Sequence, residues 1–225
     1  MKLYTHATPS HEGLLRNWLL PGASREFEVV VGRSAQHGSG SFDTPGWGRN
    51  THAKAETMYR AVAENPGQIV VWSDCDVQIL RPVKDRLVEL LDDTDLACQH
   101  NGRGVLCSGF YVLRSNARTL RLFDRIRRSD LFDRRDTRTT DQAAMNTWKR
   151  VVGYRLLPDD EFWSVGLALG RLWDGTQLFD VPTTVRVHHA NWTEGLRRKQ
   201  ELLEIVRRRE SRSRRHSAGF PPARE

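Results

Sequence analysis

Two aspartates separated by one residue, Asp74 and Asp76, directly follow an apolar run that begins at Ile69 and reads IVVWS. Carboxylates disfavour strands and are costly to bury alone. Two of them at the end of a hydrophobic strand therefore indicate a positively charged partner, and a divalent cation with oxygen ligands is the simplest one. In an open α/β sheet, this end of a strand is also where ligands bind. The pattern predicts a metal and ligand site at Asp74 and Asp76.

A second pair with the same spacing, Asp93 and Asp95, lies in the polar stretch LLDDTDLA. A D-x-D pattern arises by chance about once in a chain with this aspartate content, so the pattern alone selects neither copy. No apolar strand precedes the second pair. We therefore predict that Asp93 and Asp95 form a solvent-exposed turn.

Three further groups of polar residues lie at the boundaries of predicted elements. They are Ser108 with Gly109 at a strand, Asp141 with Gln142 at a helix start, and His188 and His189 followed by Asn191, Gly195 and Lys199. An aspartate at a helix start is also a common cap, and an isolated histidine is often structural, so each group is weak evidence by itself.

The hydrophobic pattern predicts strands that alternate with helices. Strands are expected at about 2–5, 26–32, 69–73, 96–99, 105–113, 154–157 and 185–188. Helices are expected from the capping Ser10 to a stop at Pro21 and Gly22, at about 51–64 and 83–91, from the capping Ser115 and Asn116 to about 128, and at about 140–149 and 194–208. A polar loop is expected at 129–140. This order predicts an α/β fold with a Rossmann-type, mainly parallel sheet flanked by helices.

The charge distribution separates a folded body from a basic tail. The chain has 225 residues and a net charge of +7, and residues 206–225 contain seven arginines and two glutamates. We therefore predict one domain over residues 1–205, whose remaining charge is too small for a nucleic-acid surface. The tail is rich in Arg, Ser and Pro, so we expect it to be disordered, with at most weak contact to an anionic surface.

Cysteine content and terminal composition exclude other classes of protein. Cys75, Cys98 and Cys107 are odd in number and form no C-x-x-C pair, so they predict small buried side chains rather than disulfides or a zinc site. No run approaches the roughly 18 apolar residues of a membrane span, and the N-terminus lacks the apolar core of a signal peptide. We expect a cytoplasmic protein.

Taken together and in order, these segments resemble the nucleotide-diphospho-sugar transferases of the GT-A fold, in particular the glycogenin-like and plant cell-wall glycosyltransferases. The matching segments are KAETMYRA from Lys54, VVWSDCDVQIL from Val70, SGFYVLR from Ser108, TDQAAMN from Thr140 and HANWTEGLRRK from His189. The resemblance covers most of residues 1–205 and implies a GT-A-like sheet with a small mixed C-terminal part.

The resemblance also implies roles for the residues. Asp74, Asp76 and His189 would bind Mn²⁺ or Mg²⁺, with His188 as the second choice for the histidine, and Asp74 would also contact the nucleotide. Asp141 and Gln142 would be the catalytic pair that contacts the transferred sugar. The remaining donor-binding positions implied are Thr5, Lys54, Ser108, Gly109, Asn191, Gly195 and Lys199. The implied reaction transfers a sugar from a nucleotide donor, with UDP and retention suggested by kinship, to an acceptor that the sequence does not identify.

Two alternatives remain at this stage. A strand followed by D-x-D also fits a haloacid-dehalogenase-like, magnesium-dependent phosphohydrolase, and Asp159 and Asp160 could imitate its second acidic pair. That class usually begins with its D-x-D strand, whereas two strand-helix units come first here. The other alternative is a binding module without catalysis that uses the basic tail, and it predicts no metal dependence.

Overall fold

The computed structural model describes residues 1–41, 44–132 and 140–217. The strands within these residues are β1 (Lys2–Ala7), β2 (Glu28–Arg33), β3 (Ile69–Ser73), β4 (Val77–Ile79), β5 (Leu96–His100), β6 (Leu106–Arg114), β7 (Tyr154–Leu156), β8 (Phe162–Trp163) and β9 (Val187–His189). The α-helices are α1 (Glu12–Leu14), α2 (Leu20–Ala23), α3 (Trp47–Ala63), α4 (Lys84–Leu91), α5 (Ala117–Arg127), α6 (Thr140–Trp148), α7 (Val165–Leu169) and α8 (Leu196–Ser217).

Six strands form a sheet in the order β2-β1-β3-β6-β5-β7. The pairs β1–β2, β1–β3 and β5–β7 are parallel, and β6 is antiparallel to both of its neighbours. The connection from β5 to β6 is a short turn in which Gly102 and Gly104 have positive φ angles. Such a turn joins antiparallel strands, because a parallel crossover needs a dozen or more residues. The prediction of a mainly parallel sheet flanked by helices is confirmed.

Hydrophobic side chains cover both faces of this sheet. On one face, Leu3 and Phe110 pack with Leu87 of α4 and Leu203 of α8. On the other face, the buried residues come mainly from α3, α5 and α6. Alternate residues of a strand point to opposite faces, and Leu3 and Tyr4 accordingly belong to different clusters. The three cysteines are buried and free, as predicted.

A small mixed sheet of β4, β9 and β8 lies at the end of β3. β4 is antiparallel to β9 and aligns Val77 with His189, while β8 is parallel to β9. The backbone N–H of Ala190 also donates to the carbonyl of Asp76 at 2.9 Å. This register places the end of β9 directly beside the two aspartates.

The first helical segment differs from the prediction at both ends. A 3-10 turn begins at Pro9, and a π-helical turn (Leu15–Leu19) leads into α2, which includes Pro21 and Gly22. Ser10 does not cap the segment, and its hydroxyl donates to Gln36 Oε1 at 2.7 Å. A Cβ on Gly22 would lie 2.5 Å from the carbonyl oxygen of Ile79. The glycine therefore permits close packing on β4 and does not end the helix.

The last helix is longer than predicted. α8 continues to Ser217, so the predicted boundary between residues 205 and 206 falls inside a helix. Glu210 is 5% exposed and accepts from Arg81 at 3.1 Å, and Arg209 stacks on Phe179. These contacts anchor residues whose composition alone favours disorder. Residues 218–225 of the predicted tail lie outside the described residues.

The predicted polar loop at 129–140 contains a 3-10 turn (Asp130–Phe132), and residues 133–139 lie outside the described residues, as do 42–43. Asn116 caps α5 through a capping box with Thr119, as predicted, whereas the Ser115 hydroxyl does not cap it and donates to the Val62 carbonyl at 2.6 Å. None of the helices described is long and apolar enough to cross a bilayer.

The prediction of an exposed turn at the second D-x-D pair was wrong for Asp95. Asp95 is only 2% exposed and accepts from Asn116 Nδ2 at 2.7 Å, Arg118 Nε at 2.7 Å and the Gly153 N–H at 2.8 Å. Burial alone would raise the pKa of Asp95, but these donors lower it. The side chain of Asp93, in contrast, is 86% exposed. Asp95 therefore joins β5, β7 and the start of α5, a role that depends on contacts distant in sequence.

Candidate functional site

A cleft of about 410 Å³ opens where the two sheets meet. Its walls come from the ends of β1 and β3, the starts of α3 and α6, the first part of β6, and the segment that joins β9 to α8. The predicted site residues that line it are Lys54, Asp74, Asp76, Ser108, Gly109, Asp141, Gln142, His189, Asn191 and Lys199. Residues distributed over most of the chain therefore meet at one place.

Asp74, Asp76 and His189 form the centre of the cleft. One ligand atom from each of these residues lies within 4.8 Å of the others. The Asp74 N–H donates to the Gly109 carbonyl at 2.7 Å, and Trp72 Nε1 donates to Asp74 Oδ1 at 3.2 Å. Two carboxylates and one imidazole suit a divalent ion such as Mn²⁺ or Mg²⁺. The three residues fit the predicted metal-binding set.

His189 faces this centre with one nitrogen and is held through the other. Its Nε2 lies 3.4 Å from Asp76 Oδ1, and its Nδ1 lies 3.0 Å from Gln99 Oε1. Burial alone would lower the pKa of His189, but the adjacent Asp76 carboxylate raises it to about 10. An imidazole beside a carboxylate in a buried site therefore attracts a positive charge, which can be a proton or a metal ion.

His188, the second choice for the metal ligand, lies outside this cluster. It is fully buried, its Nδ1 is 2.9 Å from Gln78 Nε2, and its ring packs on Trp163 at a centroid distance of 5.3 Å. Burial lowers its pKa to about 3. Since successive residues of a strand point to opposite faces, only one of the two histidines can face Asp76.

Two lysines neutralise the aspartates. Lys54 Nζ lies 2.8 Å from Asp74 Oδ1 and 2.7 Å from Asp141 Oδ2, and Lys199 pairs with Asp76 Oδ2. Burial alone would lower the pKa of Lys54, but Asp141 and Asp74 raise it. Lys54 therefore stays charged in a site that can receive an anionic ligand.

The two aspartates differ in their electrostatic surroundings. Burial together with repulsion from Asp76 raises the pKa of Asp74, although Lys54 opposes the shift. Burial alone would also raise the pKa of Asp76, but Lys199 and His189 hold that pKa well below the usual range. Asp76 is therefore the more firmly ionised carboxylate of the pair.

Asp141 and Gln142 lie at the start of α6 and face the cleft. Asp141 accepts from Ser108 Oγ at 2.8 Å as well as from Lys54. Burial would raise the pKa of Asp141, but Lys54 and Ser108 lower it, so its carboxylate acts as an acceptor. Gln142 Oε1 accepts from Asn101 Nδ2 at 3.0 Å.

Two residues in this arrangement were not predicted, namely Gln99 and Asn101. Asn101 connects Gln142 to Asn191, whose Nδ2 donates to Asn101 Oδ1 at 3.1 Å. Asn191 Oδ1 is buried and has no partner among the described residues. A signal was present in the sequence, because β5 reads LACQH and loses its apolar character at the strand end where ligands bind.

Thr5 and Gly195 do not line the cleft. Thr5 is fully buried with its hydroxyl 3.7 Å from Cys75 Sγ, and the next residue, His6, takes its place in the wall. The alternation of β1 side chains explains this difference of one position. Gly195 has a φ angle of 82° and accepts from the Lys199 N–H, so it turns the chain into α8.

Gly109 lines the cleft, but it is small for a reason that was not predicted. The resemblance implies only that this position contributes to donor binding. A Cβ at this position would lie 2.1 Å from His189 Cε1 and 2.8 Å from His189 Nε2. The absent side chain leaves room for the histidine ring.

The sequence of residues 36–203 matches the family model described as nucleotide-diphospho-sugar transferase. The chain belongs to this family. The match includes all of the cleft-lining residues that were predicted from motifs. No curated protein matches this nucleotide-diphospho-sugar transferase in sequence.

Solved glycosyltransferase structures share the fold of this nucleotide-diphospho-sugar transferase. A glycosyltransferase involved in glycosylation of the major capsid of PBCV-1 has a TM-score of 0.61 and 12% identity, over 92% of this chain and 100% of that chain. The galactosyltransferase LgtC, in complex with donor and acceptor sugar analogues, has a TM-score of 0.51 and 11% identity, over 100% and 98% of the two chains. GlyE from Streptococcus pneumoniae TIGR4 has a TM-score of 0.51 and 13% identity, over 100% and 66%.

The phosphohydrolase alternative is not supported in this nucleotide-diphospho-sugar transferase. Asp159 and Asp160, the residues proposed as its second acidic pair, are absent from the cleft wall. Asp159 pairs with His100, and Asp160 accepts from Thr184. A haloacid-dehalogenase-like site would need them beside Asp74 and Asp76.

Proposed function

We propose that this glycosyltransferase transfers a sugar from a UDP-sugar to an acceptor hydroxyl, with retention of the anomeric configuration and with Mn²⁺ or Mg²⁺ as cofactor. The convergence of Asp74, Asp76 and His189 beside two lysines carries the proposal. UDP and retention are suggested by the resemblance to glycogenin-like enzymes.

The metal would be held by Asp74, Asp76 and His189, and when bound it would supply positive charge that stabilises the departing diphosphate. An imidazole ligand favours Mn²⁺ over Ca²⁺. Asp76 is buried and ionised, which suits a permanent ligand, whereas Asp74 is shared with Lys54.

Lys199 and Lys54 would contribute the fixed positive charges of the donor site. Lys199 lies in the first turns of α8, and its ammonium reaches Asp76 at the centre of the cleft. From that position it can donate to a diphosphate oxygen. Lys54 connects Asp74 to Asp141, and thereby keeps the metal-binding and sugar-binding carboxylates at a fixed spacing.

Asp141 and Gln142 would bind the transferred sugar. The ionised Asp141 can accept a sugar hydroxyl and stabilise positive charge that develops at the anomeric carbon. Ser108 would hold Asp141 in place, and Asn191, whose Oδ1 has no partner among the described residues, would accept a hydrogen bond from a further hydroxyl. Thr5, Gly109 and Gly195 would act indirectly, by shaping the wall around these groups.

Calorimetric titration of UDP in the presence of Mn²⁺, and again with EDTA, tests the donor site, with GDP as the comparison nucleotide. We expect Mn²⁺-dependent binding of UDP, and we expect Asp76→Asn to remove it without loss of the fold. Asp93→Asn is the matched control, because Asp93 belongs to the other D-x-D pair and is exposed.

Two results would contradict the proposal. Binding of UDP that is unchanged by EDTA or by Asp76→Asn would refute the metal site. If the protein bound neither nucleotide and hydrolysed a generic phosphate ester, the phosphohydrolase function would be favoured instead.

A further inference from the structure

The adjacent histidines His188 and His189 of β9 each contact a buried glutamine, one through the amide nitrogen and the other through the carbonyl oxygen of the glutamine side chain. His189 Nδ1 faces the carbonyl oxygen of Gln99 at 3.0 Å. His188 Nδ1 faces the amide nitrogen of Gln78 at 2.9 Å. Both glutamines are nearly inaccessible, with 1% and 3% exposure. A side-chain amide in such a position restricts which ring nitrogen can carry the proton.

The orientation of the Gln99 amide follows from its other contacts. Its Nε2 donates to the Phe162 carbonyl at 3.0 Å and lies 3.5 Å from the Trp163 carbonyl. Since carbonyl oxygens only accept hydrogen bonds, the amide nitrogen must face them, and Oε1 must face His189. His189 then donates from Nδ1, which leaves Nε2 as the nitrogen that faces Asp76 at 3.4 Å.

Gln78 imposes the reverse arrangement on His188. Its Nε2 donates to the Leu203 carbonyl at 3.0 Å and also to His188 Nδ1. His188 Nδ1 is therefore an acceptor, and the ring proton lies on Nε2, which is buried without a partner among the described residues. This nitrogen has no lone pair available for a metal.

We propose that Gln99 is a positioning residue that holds His189 with its Nε2 directed at Asp74 and Asp76, where a divalent cation can replace the proton on that nitrogen. The inference rests on the proposed metal-dependent function. Metal-binding histidines commonly donate their second N–H to an acceptor that fixes the ring, and removal of such an acceptor costs about 10- to 100-fold in metal affinity. Here a neutral amide takes this place, in a strand 90 positions away from the histidine.

Titration of the metal-free protein with Mn²⁺ alone tests this role. Gln99→Met removes the acceptor at similar size, and we expect Mn²⁺ affinity to fall about 10- to 100-fold. Gln99→Glu keeps an oxygen acceptor for Nδ1–H and, as the protonated acid that the facing Phe162 and Trp163 carbonyls favour, also keeps a donor to them, so we expect its Mn²⁺ affinity to stay closer to the wild type than that of Gln99→Met. Gln78→Met is the matched control, because it removes an equally buried glutamine from the other histidine, and its Mn²⁺ affinity should equal that of the wild type.

A spectroscopic measurement distinguishes whether Gln99 orients the His189 ring or only fills space beside it. Electron spin-echo modulation from a histidine nitrogen bound to Mn²⁺ should be present in the wild type, Gln99→Glu and Gln78→Met, and lost or weakened in Gln99→Met. Wild-type affinity and modulation in Gln99→Met would overturn the inference, as would equal losses in Gln99→Glu or Gln78→Met. Absence of Mn²⁺ binding to the wild type would instead refute the proposed function itself.

Discussion

Gly109→Ala is the perturbation whose effect follows most directly from the site geometry. The new Cβ would lie 2.1 Å from His189 Cε1. Carbon atoms in contact are about 3.5 to 4.0 Å apart, so the ring or the strand would have to move by about 1.4 Å. Gly109 lies within β6, and its carbonyl accepts from the Asp74 N–H. The strand is therefore held in place, and the ring must move.

The magnitude of this movement decides the expected result. Metal–ligand distances tolerate deviations of about 0.2 Å, several times less than the required shift. We expect Mn²⁺ affinity to fall at least about tenfold, as when a ligand loses its supported position. Overpacking should also lower the free energy of unfolding by about 1 to 3 kcal/mol. Calorimetry with Mn²⁺ and urea denaturation measure the two effects separately.

Gly153→Ala provides the control for this experiment. A Cβ at Gly153 would make an ordinary contact of 3.6 Å with Asp95 Oδ2. We expect this variant to bind Mn²⁺ with the affinity of the wild type. Wild-type affinity in Gly109→Ala would refute the argument that His189 binds the metal from its observed position.

Two further results are expected. Lys199→Met should tighten the binding of Mn²⁺ alone by about tenfold, because the Lys199 ammonium competes with the metal for Asp76. The same variant should weaken the binding of UDP in the presence of Mn²⁺. A calorimetric titration in which Mn²⁺ alone binds more weakly to the variant would contradict this expectation. Asp95→Ala should lower the free energy of unfolding by about 2 kcal/mol in urea at pH 7, because it removes the charge-assisted hydrogen bonds from Asn116 and Gly153, whereas Asp93→Ala should have no effect. The hydrogen-bond donors around Asp95 lower its pKa in the folded state, so the stabilisation is present above the ordinary aspartate pKa of about 4 and is lost as the pH falls below it. The difference in the free energy of unfolding between the wild type and Asp95→Ala should therefore shrink in acid.

Local sequence patterns were sufficient where a residue's environment is set by its neighbours in the chain. Asp74 and Asp76 interrupt an apolar strand, and Asp141 begins a helix, so their positions follow from the pattern of their own elements. The same holds for Asn116, whose capping role requires only the first turn of α5. All of these predictions concern the ends of strands and helices.

Local patterns failed where the deciding contact is distant in sequence. Thr5 and His6 differ by one position in β1, and only the packing of the strand against Cys75 determines which of them lines the cleft. Asp95 resembles a surface turn until Arg118 and Gly153 are brought to it. The extension of α8 likewise depends on Arg81 and Phe179.

The sequence by itself therefore determined the order of the elements, the family resemblance and the residues that could bind a metal and a sugar nucleotide. Only the tertiary structure decided which histidine faces Asp76 and why Gly109 has no side chain. It also decided which buried amide fixes the ring of His189. The physical reason is that close packing and hydrogen-bond polarity at this site are set by pairs of residues that are far apart in the sequence and meet only in the folded structure.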